Sequence, residues 1–328
     1  MRIGVFCSGG DAPGMNACVR AVVRTATAVG HQVVGIRRGY QGLIEEDFYW
    51  DDPSARAMSL RSVSGILQRG GTILYSSRSE EFRTDAGQQQ AADVLRRHGI
   101  DAVIPIGGDG TFRGARALAR LWGGHIVACP GTIDNDLSGT DFTIGFHTAV
   151  KTAVDAVDKL RDTAESHERL FLVEVMGRAS GYIALYTALA AGAEVACLPE
   201  TPTDVPDILA QIQMLKNRGK KSILVIVAEG DDCGGAGPLK NRLEAAGCPF
   251  SMRVVTLGHV QRGGTPVPED RLLATRLGEL AARSVIAGET LVMAGEVHGS
   301  LTLTPLEEAG RHKPVPREYV ELLETMAN

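Results

Sequence analysis

The sequence lacks the features that mark several large classes of protein. No apolar run approaches the roughly 18 residues that cross a membrane, so no membrane partner is expected. The first apolar run, IGVF (3–6), is too short for the core of a signal peptide. The formal net charge is −5 and no basic stripe is present, which argues against nucleic acid as a partner.

Cysteine pairs and familiar nucleotide-binding signatures are missing as well. The six cysteines show no Cys-x-x-Cys pair and no metal-ligand spacing, so we predict buried free thiols in a reducing, cytoplasmic setting. The chain has no GxxxxGK[ST] phosphate loop. It also has no GxGxxG pattern, which disfavours a dehydrogenase.

Glycine, by contrast, is abundant, and its placement predicts the fold class. The 39 glycines among 328 residues cluster where apolar runs end. Short apolar runs alternate with helical patterns, which predicts an α/β fold whose mostly parallel sheet is covered on both faces. Predicted strands are 2–7, 32–36, 101–106, 125–130, 170–176 and 221–229, and predicted helices are 15–29, 87–99, 145–165 and 206–219. The polar, glycine-rich segment 229–240 is predicted to be a surface loop between two halves.

Two glycine-rich loops follow predicted strands, where ligands bind in such folds. In CSGGDAPGMNA (7–17), backbone N–H groups at Gly9 and Gly10 suit phosphate, although a plain strand-to-helix turn is the alternative. In IPIGGDGTFRGA (105–116), Asp109 stands among glycines. A carboxylate beside phosphates is explained if Mg²⁺ lies between them, and a helix cap is the alternative.

A third loop, CPGTIDNDLSGTD (129–141), carries Thr132, Asp134 and Asp136. Two nearby carboxylates can divide labour, one as a base for a hydroxyl and one as a metal or positioning ligand. The alternative is an Asx-type turn.

A basic set completes the candidate site. Arginines at strand ends favour a polyanionic ligand, although each alone is a common solvated charge. The set comprises Arg169, Arg178, Arg253, His259 and Arg262, with Glu229 as an acceptor for a sugar hydroxyl or as an ordinary loop carboxylate. Positioned phosphates, a metal, a base and cations together indicate phosphoryl transfer.

Six segments then resemble the motifs of 6-phosphofructokinases, in that family's order and over residues 2 to about 280. They are SGGDAPGMN, IGGDGT, PGTIDND, TIGFHTA, SHERLFLVEVMGR and LGHVQRGGTP. PGTIDND together with EVMGR is highly specific, whereas GGDG also occurs in NAD kinases and diacylglycerol kinases.

The resemblance implies ATP-dependent phosphorylation of fructose 6-phosphate at the 1-hydroxyl, with Mg²⁺, as in glycolysis. Asp134 would be the base, Asp109 the Mg²⁺-associated carboxylate, Asp136 near metal and substrate, Thr132 a support for the moving phosphoryl group, and Arg178 a transition-state cation. Nucleotide-binding positions would be Gly10, Tyr40, Arg78, Arg83, Asp109, Gly110 and Thr111.

For the sugar phosphate, the resemblance implies that Met176, Gly177 and Glu229 line the sugar site. Arg169, Arg253, His259 and Arg262 would hold the 6-phosphate, with Arg169 and Arg253 supplied by a neighbouring subunit of a homo-oligomer, expected to be a tetramer. The implied fold is two Rossmann-like three-layer αβα domains. They are a nucleotide-binding domain of 1–145 plus about 258–305, and a sugar-phosphate-binding domain of 146–257 plus about 306–328.

The donor and acceptor leave alternatives. Pyrophosphate-using relatives usually carry Asp at position 110 and Lys at 131, and glycine at both positions favours ATP here. A pyrophosphate-dependent enzyme, or a kinase of another sugar phosphate such as sedoheptulose 7-phosphate, is the alternative. A non-catalytic binding protein would be expected to lose Asp134, Asp109 or Arg178, and all are present.

Some positions depart from the family pattern. Tyr75 stands where glycine is common, and Ser79 replaces an aromatic residue near the adenine. Basic residues that match an effector site in kind are Arg20, Arg24, Arg161, Arg218 and Lys220. Leu60 and Gly65 fall where Arg and Asp are frequent, so a solvated basic face without regulation is the alternative.

Overall fold

The structure, a computed structural model, describes residues 1–327. The strands are β1 (Arg2–Ser8), β2 (Gln32–Ile36), β3 (Phe48–Tyr49), β4 (Ala102–Gly107), β5 (His125–Pro130), β6 (Arg169–Val175), β7 (Val195–Cys197), β8 (Ile223–Ala228), β9 (Ser251–Thr256), β10 (Val292–Val297) and β11 (Ser300–Pro305). The helices are α1 (Met15–Ala28), α2 (Gly39–Ile44), α3 (Asp85–Arg97), α4 (Asp109–Trp122), α5 (Phe146–Ser166), α6 (Tyr182–Ala191), α7 (Val205–Asn217), α8 (Ala236–Ala245), α9 (Pro268–Ile286), α10 (Leu306–Ala309) and α11 (Arg317–Ala327). Short 3₁₀ helices lie at Glu81–Arg83 and Gly258–Arg262.

The chain divides into two compact units. Unit 1 comprises Met1–Ile133, Leu137–His147 and Arg262–His312, and unit 2 comprises Asp134–Asp136, Thr148–Gln261 and the chain from Lys313 onward. Compared with the sequence prediction, residues 134–136 and 258–261 fall in unit 2, and residues 146–147 and 306–312 fall in unit 1. Residues 306–312 belong to unit 1 because α10 packs against α4 and β10.

Unit 1 is built on a sheet that, over the described residues, has seven strands in the order β11-β10-β5-β4-β1-β2-β3. The five inner strands are parallel, and β3 and β11 pair antiparallel at the edges. On one face, α1 and α9 pack against each other, and α9 contacts β5. Side chains from α2, α3, α4 and α10 form a core that includes Phe6, Leu43, Leu95, Phe112 and Leu306. These layers form an αβα arrangement.

Unit 2 has a smaller sheet. In the part of the chain that the structure describes, this sheet has four parallel strands in the order β7-β8-β6-β9. Its core joins β6 and β8 to α7 and α8 through residues such as Leu172, Ile212, Val225 and Leu239. The C-terminal helix α11 packs against α6. The predicted α/β fold with mostly parallel sheets is confirmed.

The ten elements predicted from periodicity lie within two residues of their observed ends. The prediction for 229–240 is wrong, because α8 begins at Ala236 and the segment belongs to unit 2 alone. A side chain from β6 makes this helix start possible: Glu174 accepts a hydrogen bond from the Ala236 N–H at 2.8 Å. That contact is tertiary, and the local sequence does not reveal it.

The structure bears on two sequence expectations, which concern the state of the cysteines and the presence of membrane-spanning helices. All six cysteines lie among the described residues as free thiols, and five are buried. Burial raises the pKa of the Cys7 and Cys197 thiols to about 12, so both stay protonated near neutral pH. Within residues 1–327, the helices are all too short or too polar to cross a membrane.

His147 is a partly buried titratable group of unit 1. Its ring lies 4.4 Å from the Phe142 ring and 5.6 Å from the Phe146 ring, measured between centroids. Burial lowers the pKa of His147, and the carboxylates of Asp270 and Glu269 oppose this shift only in part. A histidine whose pKa is lower in the folded state than in the unfolded state makes unfolding easier as the pH falls through the unfolded value.

We therefore predict that replacing this histidine reduces the acid sensitivity of folding. Between about pH 7.5 and pH 5.5, a range that spans the ordinary histidine pKa, His147→Gln should lose less unfolding free energy than the unmodified protein. Urea titrations at several pH values measure this difference. His167→Gln, which changes an exposed histidine, is the control and should follow the unmodified protein. Equal losses in all three proteins would contradict the prediction.

Candidate active site

The loop between β1 and α1 has a backbone that requires glycine. Gly9 has φ of 90° and Gly14, the N-cap of α1, has φ of 107°, which is the left-handed region that glycine adopts without strain. A Cβ on Gly10 would lie 3.1 Å from a guanidinium nitrogen of Arg262. The loop therefore places backbone N–H groups and one arginine side by side in unit 1.

The loop between β4 and α4 is tighter. A Cβ on Gly107 would lie 2.3 Å from the Thr111 hydroxyl and 2.5 Å from the Ser8 carbonyl, so only glycine fits. Gly108 is the N-cap of α4 and Asp109 its first residue, so Asp109 is not the cap that the alternative interpretation required. Its carboxylate is one-third exposed and pairs with Arg113 at 3.0 Å. A carboxylate is favoured here by the positive end of the helix dipole.

The two glycines of the donor argument differ in their surroundings. A Cβ on Gly110 would point into open space, with Arg113 Nη2 at 4.0 Å as its nearest neighbour among the described atoms. A Cβ on Gly131 would lie 2.8 Å from Ile106 Cγ2 and 3.0 Å from Met15 Cε. Position 110 can therefore accept a side chain as the fold stands, whereas a lysine at 131 would require the core to shift.

Two predicted nucleotide-binding residues, Tyr40 and Thr111, stabilise the loop between β4 and α4 through hydrogen bonds on its buried side. Tyr40 is 5% exposed, and its hydroxyl donates to the Thr111 carbonyl at 2.7 Å. Its ring stacks on Phe82 at 4.1 Å, and burial raises the pKa of its phenol. The Thr111 hydroxyl in turn donates to the Ser8 carbonyl at 3.0 Å. Both side chains are thus placed to position the first turn of α4.

Two further predicted nucleotide-binding residues, Arg78 and Arg83, lie on the surface segment between β3 and α3. Arg78 and Arg83 are exposed. Tyr75 has φ of 54°, which explains why glycine suits this position, and it is 60% exposed. The Ser79 hydroxyl accepts a hydrogen bond from the Phe82 N–H at 3.0 Å and so binds a backbone group of the short helix Glu81–Arg83.

Thr132 belongs to unit 1, and the two aspartates after it belong to unit 2. The Thr132 carbonyl accepts a hydrogen bond from the Thr143 hydroxyl at 2.6 Å, and its side chain lies beside Gly108. Asp134 is 4% exposed, and its carboxylate lies 3.7 Å from Nε of Arg178. The side chain of Arg178 is 52% exposed. A buried carboxylate thus lies beside an arginine that reaches solvent. Asp136 follows, and its carbonyl accepts a hydrogen bond from the Lys313 N–H at 3.0 Å.

Arg178 lies in a turn that other side chains shape. Gly177 has φ of 144° and Arg178 has φ of 53°. One oxygen of the Glu229 carboxylate accepts from the N–H groups of Gly177 at 3.2 Å and Arg178 at 2.9 Å. Just before them, the Met176 N–H donates to Gln261 Oε1 at 2.9 Å. Sequence reasoning missed Gln261, a fully buried residue, and its only signal is its place beside His259 and Arg262 in LGHVQRGG.

The predicted 6-phosphate residues do not all come together within one unit. Arg169 opens β6, and Arg253 lies on the adjacent edge strand β9, opposite Phe171. The guanidinium of Arg253 donates to the Met252 carbonyl at 2.9 Å. His259 is exposed in the short helix after β9. Arg262, by contrast, belongs to unit 1, beside Gly10.

Two of the basic residues compared with an effector site already have partners. The Arg161 guanidinium donates to the carbonyls of Ala191 and Gly192, the latter at 2.9 Å, at the end of α6. Lys220 forms an ion pair with the buried carboxylate of Glu194. Arg20 and Arg24 lie on α1 in unit 1.

Comparison with known proteins places these features in a family. The family model described as Phosphofructokinase matches residues 2–285. The chain is 50% identical over 327 residues to ATP-dependent 6-phosphofructokinase 1 of Thermus thermophilus, covering 99% of each chain. It is 50% identical over 314 residues to the ATP-dependent 6-phosphofructokinase of Paenibacillus macquariensis, covering 95% of this chain and 94% of the relative.

Solved structures agree with this grouping. The phosphofructokinase of Saccharomyces cerevisiae matches with a TM-score of 0.84 and 35% identity, over 99% of this chain and 47% of the yeast chain. A pyrophosphate-dependent phosphofructokinase of Marinobacter aquaeolei matches with a TM-score of 0.83 and 22% identity, over 98% of this chain and 91% of that chain. At that identity the second match supports the fold alone. With its family-model match, its close relatives and its α/β fold, the chain belongs to the phosphofructokinase family.

Proposed function

We propose that this protein transfers the γ-phosphoryl group of ATP to the 1-hydroxyl of fructose 6-phosphate, giving fructose 1,6-bisphosphate and ADP. The observation that carries the proposal is the buried Asp134 carboxylate beside Arg178, in a chain 50% identical over its length to ATP-dependent 6-phosphofructokinases. The reaction is a step of glycolysis, and we assign it to the cytoplasm.

Asp134 and Arg178 have the chemistry that the acceptor side needs. A carboxylate accepts the proton that the 1-hydroxyl loses as it attacks phosphorus. The arginine supplies positive charge for the phosphoryl group in transfer. Burying a carboxylate carries a desolvation cost that one partner at 3.7 Å offsets only in part, and we take the retention of this buried charge as support for a catalytic role.

The donor side would be formed by the two glycine-rich loops of unit 1. Backbone N–H groups of the β1–α1 loop and of the first turn of α4 can bind phosphate oxygens. Asp109 fits a role as Mg²⁺ ligand, because its carboxylate is partly exposed at the helix start and only one arginine of the same helix holds it. Mg²⁺ uses one or two carboxylates together with phosphate oxygens and water, and would neutralise charge on the donor. Thr132, beside Gly108, would support the phosphoryl group.

The acceptor sugar phosphate would be held by basic residues. Arg169, Arg253, His259 and Arg262 are proposed to bind the 6-phosphate, and Met176, Gly177 and Glu229 to line the sugar. The first two lie on neighbouring strands at the sheet edge formed by β9. We propose that they serve the site of a neighbouring subunit in a homo-oligomer, a tetramer.

Removing the base should abolish most turnover. For Asp134→Asn we expect kcat with fructose 6-phosphate and ATP to fall by about 10²–10⁴-fold, while fructose 6-phosphate still binds. A coupled assay gives kcat, and calorimetry gives the dissociation constant. Asp155→Asn, the same change on an exposed helix face, is the control. An Asp134→Asn enzyme with near-normal kcat would refute the base assignment, and an inactive unmodified protein would refute the proposed function.

The donor argument has its own test. Gly110→Asp should be tolerated by the fold, but a second carboxylate near the donor phosphates would repel them. Like charges about 4 Å apart repel by about 1–4 kcal/mol in water-like to protein-like surroundings, so we expect kcat/KM for ATP to fall by between about fivefold and about 900-fold. Gly110→Ala adds volume without charge and should cost less. Equal rates with ATP and pyrophosphate in the unmodified enzyme would contradict ATP specificity.

Shared sites predict complementation between defective subunits. Asp134→Asn subunits keep Arg253, and Arg253→Ala subunits keep the base, so co-expressed mixtures should recover measurable activity that neither variant has alone. A mixture of Asp134→Asn with Arg178→Ala is the control and should stay inactive, because both residues belong to the same subunit's site. Lack of recovery in the first mixture would contradict the shared site.

A further inference from the structure

The three-residue segment Asp134–Asp136 is held through its backbone at both ends. The Ser180 hydroxyl donates to the Asp134 carbonyl at 2.8 Å. The Lys313 N–H donates to the Asp136 carbonyl at 3.0 Å. Between them, Asn135 is fully buried with φ of 52°, a left-handed conformation that asparagine adopts more readily than most residues with a side chain.

The hydrogen bond from Lys313 to Asp136 comes from a part of the chain outside the family-model match, which ends at residue 285. We call residues 313–316, between His312 and α11, the C-terminal strap. The strap is anchored on the first residue of α6: the Tyr182 hydroxyl donates to the Pro314 carbonyl at 3.0 Å. Nζ of Lys313 lies over the Tyr182 ring, 4.8 Å from its centroid.

The two anchors are linked through one short stretch of chain. Ser180 bonds the Asp134 carbonyl, the Tyr182 N–H donates to the Ser180 hydroxyl at 3.4 Å, and Tyr182 bonds the strap. The same stretch follows Arg178 directly, and the Ser180 N–H closes the turn on the Gly177 carbonyl at 2.9 Å. Base, arginine and strap therefore share one hydrogen-bonded network within unit 2.

We propose that the C-terminal strap is a positioning element for Asp134, acting through the Lys313 backbone N–H and the Tyr182 hydroxyl. This inference rests on the proposed function, in which Asp134 accepts the proton of the sugar hydroxyl. A general base must lie within hydrogen-bond reach of that proton, and a displacement of about 1 Å can cost roughly 100-fold in rate. The strap fixes the end of the segment that Ser180 does not reach.

A proline at position 313 has no backbone N–H, so it removes the donor that binds the Asp136 carbonyl. The substitution suits the backbone for two reasons. His312, which would then precede a proline, already forms an antiparallel bridge with Leu137, and Lys313 itself already precedes Pro314. A residue before proline favours an extended conformation. Lys313→Ala keeps the N–H and removes only the side chain. Val315→Pro is the matched control, because the Val315 N–H donates to no acceptor within residues 1–327.

For Lys313→Pro we expect kcat to fall by about tenfold or more, the effect of losing one hydrogen bond from a positioning network. The KM for ATP should stay within about twofold, because the strap does not belong to unit 1, whose loops are assigned to the donor. Lys313→Ala should lose less than the proline variant. Tyr182→Phe keeps the ring and should lower kcat several-fold. Circular dichroism confirms that each variant is folded at the assay temperature.

A second readout does not depend on activity. Hydrogen exchange of peptides that cover 134–138 should be faster in Lys313→Pro than in Val315→Pro, because the segment loses its anchor. If the two proline variants have equal kcat and equal exchange, the positioning role is refuted. If the unmodified protein does not phosphorylate fructose 6-phosphate, the proposed function fails, and the exchange result alone decides whether the strap orders this segment.

Discussion

In unit 2, the placement of a buried carboxylate beside an arginine in a left-handed turn depends on side chains from several separate parts of the chain. Asp134 needs a fixed backbone, and Arg178 needs a turn that an ordinary helix or strand does not provide. Each demand is met by side chains from elsewhere: Glu229 binds the two N–H groups of the turn, and Ser180 binds the carbonyl of Asp134. Two of the four parallel strands, β6 and β8, supply these groups beyond their carboxyl ends, where the chain leaves the sheet and its backbone groups need new partners.

Unit 1 shows a different constraint, which is the close packing of backbone atoms in its glycine-rich loops. Gly107 has no room for a side chain against Thr111 and Ser8, and Gly14 begins α1 with a positive φ. The polar atoms of Tyr40 and Thr111 are directed into the protein, where they fix the start of α4. Rigid support from inside and an exposed glycine at position 110 leave the outer side of the loop open, which is where the proposed donor would bind.

Much of this was accessible from sequence because the relevant signals are local. The apolar runs of β1, β4 and β5 and the helix faces of α1 and α5 gave the fold class and the loops at which to look. The ten predicted elements leave out the long helices α4 and α9. Periodicity does not mark α6, which is apolar on nearly all sides because it is buried, and the start of α8 depends on Glu174 of a distant strand. The hydrogen bond between Gln261 and Met176 could not be predicted from local sequence either, because the two positions are 85 residues apart.

The sequence by itself determined the α/β class, the glycine-rich loops, the residue types for phosphoryl transfer and, through its motifs, the family. Only the tertiary structure decided how those residues are used: that Tyr40 lies beneath the loop, that Glu229 shapes the turn of Arg178, and that Lys313 bonds the segment of Asp134. The physical reason is that a residue's chemistry is fixed by its side chain. Its role depends on which distant backbone groups lack a local partner, and only folding brings those groups within hydrogen-bond reach.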